Sequence, residues 1–566
     1  PAPERRSANG RAPATPVEEL LCGLYADILG RDTVGADDSF FTLGGDSIMS
    51  MLVVARARRA GVEITARQVF ECRTPANLAR VADTITRRAA TPDVAVGPVP
   101  LTPMMRELAA RSGPAALSGS LAQSMLVALP PGADLDGLSR ALQVVLDHHD
   151  MLRARLDGDR LLVPEPGAVR AEDCVRVALA APDAEFGRAL GRLDPASGVV
   201  VQAVWFPDSG RLLLVLHHLV VDGVSWRILL PDLAAAYAGE ELTGGTSFRR
   251  WASALATAAT SADRVAELPV WRGLLDEADP RIGPRPLDST VDTVAAGTVG
   301  TTREVPAAVT GPLLTGVPEA FYARVDEVLL AGLAVAVCRW RGGDTVLVDV
   351  ENHGREPLSA DMQLGRTIGW FTCSRPVRLT PGSAGHDEVA AGGAAAGTVL
   401  KRIKEQLRAI PADGLGFGLL RYLNPDTAPV LADAPVPQIG FNYLGRFTAA
   451  STDGTGAWQP VGDLPLGGRA DDRMALSHAI EAGGLVRDRP DGPELTVTVS
   501  APAGLLGRRA VDELTEYWVA ALTGFVRHLA GPAPGGHTPS DFTLLTLAQN
   551  EIDEFQSKLT GQGGSR

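Results

Sequence analysis

Over the first part of the chain, apolar positions recur at helical spacing. Thr15-Pro16-Val17-Glu18 reads as a capping box with proline at the first helical position. Val17, Leu20, Leu21, Leu24 and Ile28 then keep one apolar face, and Gly30 ends the helix. A loop that brings Phe40 and Phe41 to the core leads into Leu43-Gly44-Gly45-Asp46-Ser47-Ile48. Asp46 is placed to cap a second helix with Ile48, Met51, Leu52 and Ala55 facing inward, closed by Gly61. A last helix opens at Thr74-Pro75 and buries Leu78, Val81 and Ile85. Residues 15–87 are therefore expected to form a small helical bundle.

The pattern then changes. Residues 88–100 are a Pro/Ala/Val-rich linker, and the remainder of the chain mixes helical periodicity with short strand-like runs. Leu135, Leu138, Leu142 and Val145 line a helix leading into LDHHDMLRARL. The runs at 212–216, 346–350 and 495–499 have the length of buried strands. EADPRIGPRP, around 276–286, interrupts the pattern and suggests a seam, so the large α/β unit is expected as two lobes, 101–280 and 281–548, with a tail at 549–566. A chain of 566 residues is too long for one core. Residues 1–14 form a Pro/Ala/Arg-rich interdomain lead-in that starts on proline, as expected of a piece of a longer polypeptide.

Composition narrows the classes. The formal charge of −14 argues against nucleic acid, which needs a basic face. No apolar run approaches a membrane span and none reads as a signal peptide. Cys22, Cys72, Cys174, Cys338 and Cys373 are odd in number and lack CxxC spacing, which argues against a disulfide framework or zinc site and for a cytoplasmic location. The three lysines are Lys401 and Lys404 in KRIKEQLRAI, an expected surface helix, and Lys558 in the tail; none reads as the Schiff-base lysine of a pyridoxal enzyme. No metal set is expected.

Two segments carry candidate chemistry. His217-His218-Leu-Val-Val-Asp222-Gly223 follows the 212–216 run, so one imidazole can face the core and the other a cleft at the strand end. His148-His149, by contrast, sit on a helix with no carboxylate or cysteine to complete a ligand set, and read as packing. Ser47 lies at a helix start. It can serve as a cap, but Asp46 already fills that place, leaving the hydroxyl free.

FFTLGGDSIMS closely resembles the attachment site of peptidyl carrier proteins from non-ribosomal peptide synthetases. That resemblance implies a 4′-phosphopantetheine arm on Ser47, added by a phosphopantetheinyl transferase and holding an aminoacyl or peptidyl thioester. HHxxxDG is shared by several acyltransferase families, condensation domains and chloramphenicol acetyltransferase-like enzymes included. VLVDVENHGREP at 346–357, GRTIGWFTCSRPV at 365–377, GLGFG at 414–418, GFNYLGRF at 440–447 and SDFTLLTLAQNEID near the end resemble the epimerization domains of the same synthetases. LTPMMRELAARSG at 101–113 lacks the aromatics of that family's opening segment, whereas QSMLVAL at 123–129 fits it. The expected fold is multidomain: a four-helix carrier bundle followed by a two-lobed α/β chloramphenicol acetyltransferase-like domain of the condensation superfamily.

The resemblance implies His218 and Glu351 as the catalytic pair. Inverting an α-carbon removes its proton from one face and delivers one to the other, which two acid–base groups on opposite sides of a planar enolate accomplish. His218 and Glu351 are thus expected to face each other across the lobe interface. Asn442 and Tyr443 map to positions lining the cleft, able to hydrogen-bond the enolate oxygen. Asp222 could be catalytic, but an acidic residue between a strand end and a glycine turn is expected to order the loop; the resemblance implies a salt bridge to Arg153 in DMLRARL as its means, and Arg355 as the residue that orients Glu351 or the enolate. The implied partners are an upstream adenylation domain, a downstream condensation domain and the carrier-bound substrate, acting on a monomer. The rival reading is a carrier–condensation pair in which His218 assists amine attack on a thioester; Glu351 in ENHGRE speaks against it.

Overall fold

The computed structural model describes residues 11–45, 47–84, 93–277, 279–383, 385–411, 413–447, 456–461, 470–531, 534–542 and 547–554, and the side chains of 47–48, 66–67 and 83–84 are outside that description. Four helices, α1 (Pro16–Leu29), α2 (Ser47–Arg59), α3 (Ala66–Cys72) and α4 (Pro75–Val81), enclose a core of Leu21, Tyr25, Phe40, Val53, Val69 and Leu78. Thr15 caps α1 by accepting from the Glu18 amide at 3.1 Å, and Gly30 ends it with φ 62°. The expected capping box is only half formed, because the Glu18 carboxylate reaches past Thr15 to the Ala14 amide and to Arg11.

The inward face of α2 differs from the expected one. Ser50, Val53 and Ala57 are the buried positions, while Met51, Leu52 and Ala55 are half-buried. The reason is a second neighbour: Ala55 and the Met51 carbonyl lie close to Gly365 of the large domain, so α2 has two packed faces. Val81 is 42% exposed because α4 ends there. Asp46, Ile85 and the Ile48 side chain lie outside the described residues.

The large domain begins with α5 (Pro103–Ser112). Its first lobe centres on a four-stranded sheet of β1 (Ala122–Ala128), β2 (Val175–Val177), β3 (Val201–Phe206) and β4 (Arg211–His217), in the order β1-β4-β3-β2. Helices α6 (Leu135–His148) and α7 (Trp226–Tyr237) pack together beside it. The second lobe is a six-stranded sheet in the order β5-β10-β9-β8-β6-β7, with β5 at Thr298–Val305, β6 at Val346–Asn352, β7 at Cys373–Leu379, β8 at Ile439–Phe447, β9 at Ile480–Arg489 and β10 at Gly492–Pro502. β8 runs parallel to both β6 and β9. Val348 and Val350 enter the core with α8 (Val325–Arg341) and α9 (Arg508–His528), so alternation along β6 sends Asp349 and Glu351 to the other face.

The cores do not divide at 280. Trp271 and Leu275 already belong to the second-lobe core, whereas Ile368, Trp370, Phe371 and Cys373 cross back into the first. The GRTIGWF segment is therefore a crossing strap. Gly369 is needed there, because a Cβ would lie 2.2 Å from the Phe248 ring. Lys404 corrects another expectation: it is 1% exposed, with its ammonium on Asp541 at 2.6 Å and on the Phe321 carbonyl at 2.8 Å. No helix among the described residues is long and apolar enough to cross a membrane.

Candidate functional site

His217 ends β4 fully buried. Its Nε2 donates to the Gly119 carbonyl at 2.7 Å and its Nδ1 accepts from the Leu219 amide at 3.2 Å. Burial pushes it down to about 4, so this ring is a neutral structural element. His218 starts the short turn after the strand and lies against Trp370, ring centroids 4.6 Å apart. Its Nε2 is 2.9 Å from the Gln123 amide nitrogen. The Gln123 oxygen accepts from Trp226 Nε1 at 2.7 Å, which turns the amide NH2 towards His218 and makes Nε2 the acceptor. Burial lowers His218 from its ordinary value, with Asp222 opposing, so His218 is a neutral imidazole with its Nε2 lone pair oriented.

Glu351 occupies the far end of β6. Asn442, from the neighbouring β8, donates from Nδ2 to its Oε2 at 2.7 Å. Burial, then the carboxylates of Glu481, Asp349 and Glu107, push Glu351 up to about 8. At neutral pH it is a protonated carboxylic acid. Neutral imidazole on one lobe and protonated carboxyl on the other constitute a base and an acid whose environments have moved them in opposite directions.

Asp222 and Arg355 connect these two segments. The expected partner of Asp222, Arg153, is elsewhere: it folds back onto the end of α6 and donates to the carbonyls of Leu146 and Asp147 at 2.6 and 2.9 Å. Asp222 instead accepts from Arg355 at 2.7 Å, from the Ser225 amide and hydroxyl at 2.8 Å each, and from the Phe371 amide at 3.1 Å. Arg355 does not contact Glu351; its guanidinium lies over the Phe371 ring at 4.1 Å. The pair thus ties the His218 loop to the loop four residues beyond Glu351. Gly223 is exposed, without positive φ, and a Cβ there would meet nothing within 4 Å. His353 accepts from the Arg355 amide through Nδ1 at 3.0 Å. His149 pairs with buried Asp232 at 2.9 Å.

A cavity of about 140 Å³ lies between the bundle and the second lobe. Phe41, Gly44, Gly45, Phe70 and Arg73 line it from the bundle; Leu314, Pro318, Arg324, Glu351, Tyr443 and Arg446 line it from the lobe. Ser47 begins α2 two residues beyond Gly45. The loop is shaped for this closeness: Gly44 has φ 104° with a would-be Cβ 2.2 Å from the Arg446 guanidinium, and a Cβ on Gly45 would strike the Phe40 ring. Arg73 over the Tyr322 ring at 5.2 Å and Arg58 on the Ala360 carbonyl at 3.2 Å hold the two units together. Tyr443 and Glu351 share this cavity, whereas His218 is not among its lining residues. Among the described residues no hydrogen bond joins His218 to Glu351.

Gln123, Trp226 and His478 join the site without being legible as site residues from the motifs. Gln123 has a readable signal, a lone amide in a strand whose seven positions are all buried. His478 has none, being a single histidine in a loop before β9.

Residues 99–454 match the family model described as Condensation domain, and residues 19–82 match the one described as Phosphopantetheine attachment site. A linear gramicidin synthase from Brevibacillus parabrevis is 34% identical over 602 residues, covering 98% of this chain; the chain spans only 7% of that relative's length. The crystal structure of the epimerization domain from the third module of tyrocidine synthetase B superposes with a TM-score of 0.66 at 26% identity, covering 78% of this chain and 99% of that one. The first condensation domain of the calcium-dependent antibiotic synthetase, at 20% identity and TM-score 0.53 over 78% of this chain and 99% of that one, shares the fold.

Proposed function

Because the chain belongs to the condensation-domain family, with a phosphopantetheine attachment domain ahead of it, we propose that it epimerises an aminoacyl or peptidyl thioester carried on Ser47, within a non-ribosomal peptide synthetase. The observation that carries this reading is Glu351: a protonated carboxyl, held by Asn442, on the wall of a cavity that begins at the carrier's Gly44-Gly45 loop. A condensation reaction has no evident use for such an acid.

The residues at the cavity mouth fit a phosphopantetheine arm on Ser47: Gly44 and Gly45, just before it in the chain, line the cavity, and Arg446 packs against Gly44 from the other side. That arm supplies a thioester, which makes the α-proton of its acyl group acidic. His218, neutral and with Nε2 oriented by Gln123, takes the proton from one face of the α-carbon as the Gln123 amide gives up its hydrogen bond to that lone pair. Glu351 delivers its own proton to the other face. The reverse reaction starts from imidazolium and carboxylate and runs through the same two groups. Asp222 and Arg355 hold the two loops in register while this happens. The two epimers differ little in intrinsic energy, so a downstream acceptor selective for one of them sets the net direction.

The test is α-proton exchange in deuterated solvent on the Ser47-loaded chain, with chiral analysis of the released acid. His218→Ala and Glu351→Gln fold normally and lose both exchange and inversion. Full inversion by either variant would refute the two-base reading, and amide formation without deuterium uptake would establish the condensation reading instead.

A further inference from the structure

His478 stands in the loop before β9, 12% exposed, and bridges two carboxylates: Nδ1 is 2.8 Å from Glu481 and Nε2 is 3.3 Å from Asp349. The three residues are brought together by strand register. Asp349 of β6 pairs with Gly440 of β8, which pairs with Glu481 of β9, so both acids flank a glycine in one row across the sheet. The glycine is required, because a Cβ at 440 would lie 2.5 Å from His478 Nδ1 and 2.5 Å from the Glu481 carboxylate. Two residues along, on the same face, Asn442 holds Glu351. The imidazole is thus seated directly beside the row that contains the proton-bearing carboxyl.

We infer that His478 is a positioning residue for Glu351: its imidazole, seated over Gly440 and bridging Asp349 and Glu481, balances their charge and so sets how tightly Glu351 holds the proton it donates. This rests on the role proposed for Glu351. The charges facing Glu351 are few. Asp349 lies on its own strand, Glu481 on β9, and Glu107 reaches it from α5, where Arg111 pairs with Glu107 at 3.1 Å. Arg324, Asp326, His353 and Arg446 share the cavity wall with it, and Ser374 is its cross-strand neighbour on β7. His478 is a cation in this set. Burial opposes its charge, but Glu481 and Asp349 outweigh burial and raise it to about 10. Without that cation the row has two uncompensated carboxylates, and Glu351 would hold its proton more tightly still. Fixing the proton on Glu351 too firmly would impair it as a donor.

The experiment is an infrared titration of the full chain, following the protonated-carboxyl band assigned to Glu351 by its loss in Glu351→Gln. His478→Gln should move the midpoint of that band upwards by roughly one pH unit or more, and His478→Lys should return it towards the parent value. Glu481→Gln, at a half-exposed position where folding is not at stake, should move it down. The alkaline limb of the α-exchange rate should follow the band in each variant. An unmoved midpoint in His478→Gln overturns the inference, as does a Lys variant displaced as far as the Gln one. If the parent chain shows no α-exchange while the band still moves as described, the epimerization reading fails and the charge-setting role of His478 stands.

Discussion

Replacing Asp222 by alanine should destabilise the large domain rather than disturb the chemistry directly. Asp222 has a 4% exposed side chain and receives four hydrogen bonds, one from a guanidinium whose side chain is wholly buried. Alanine at this position leaves the Arg355 charge in the interior with no counter-charge, and its Nε and Nη1 are already buried without a hydrogen-bond partner. Breaking a buried pair by removing one member costs about 3–5 kcal/mol. With an unfolding entropy of about 2.1 cal/mol/K per residue, a domain of roughly 450 residues loses about 1 °C of melting temperature per kcal/mol, so the expected fall is about 3–5 °C. Asp222→Ala combined with Arg355→Met removes both charges and should recover a substantial part of the loss. Calorimetry of the single and double variants supplies the coupling. An unchanged melting temperature in Asp222→Ala, together with lost α-exchange, would refute the structural role and make Asp222 a participant in proton transfer.

Three further outcomes are expected from the same contacts. Glu351 lies at about 8 in the folded chain against 4.5 as an ordinary glutamate, so the folded state retains a proton that the unfolded state releases. The Glu351 contribution to stability therefore falls as pH rises between those values and levels off above about 8, and Glu351→Gln should make the slope shallower by that one group's share in denaturant titrations at several pH values, Asp150 and Glu356 supplying the rest. Gln123→Leu removes the partner of both Trp226 Nε1 and His218 Nε2, and should lower α-exchange by roughly tenfold or more with the circular dichroism spectrum unchanged. Tyr322→Ala removes the ring beneath Arg73, and should slow inversion of the Ser47-linked substrate while leaving a freely diffusing short thioester unaffected; equal slowing of both would show that Tyr322 acts on the reaction and not on carrier docking.

The parts legible in the sequence are those whose signal is local. The strands containing 212–216, 346–350 and 495–499 announce themselves because the first is buried over an unbroken run and the other two bury an apolar residue at every second position, and α1 because its cap, apolar stripe and terminal glycine lie within sixteen residues. The inward face of α2 eludes the pattern for a physical reason: it packs against its own bundle through Val53 and Ala57 and against Gly365 through Ala55, and one helix with two partners has no single apolar stripe. Long-range pairing is harder. Arg153 and Arg355 are both buried arginines near loops of the right kind, and only the fold shows that the first satisfies carbonyls at the end of the preceding helix while the second reaches Asp222 from 133 residues away.

The same distinction separates the residues proposed to react from the conditions under which they would react. His218 and Glu351 can be picked out from their segments, but neither segment states a protonation state. For His218 that state comes from burial and from an amide on β1 whose orientation is imposed by a tryptophan on α7. For Glu351 it comes from burial and from three carboxylates on two strands and a helix, partly offset by one histidine in a loop. Exchange Gln123 for an apolar residue, or remove the His478 charge, and every residue of HHxxxDG and ENHGRE is still present while the imidazole loses its aimed lone pair or the carboxyl its working range. The motifs therefore name the proposed acid and base, and the assignment of which begins as which is a property of contacts made across the fold.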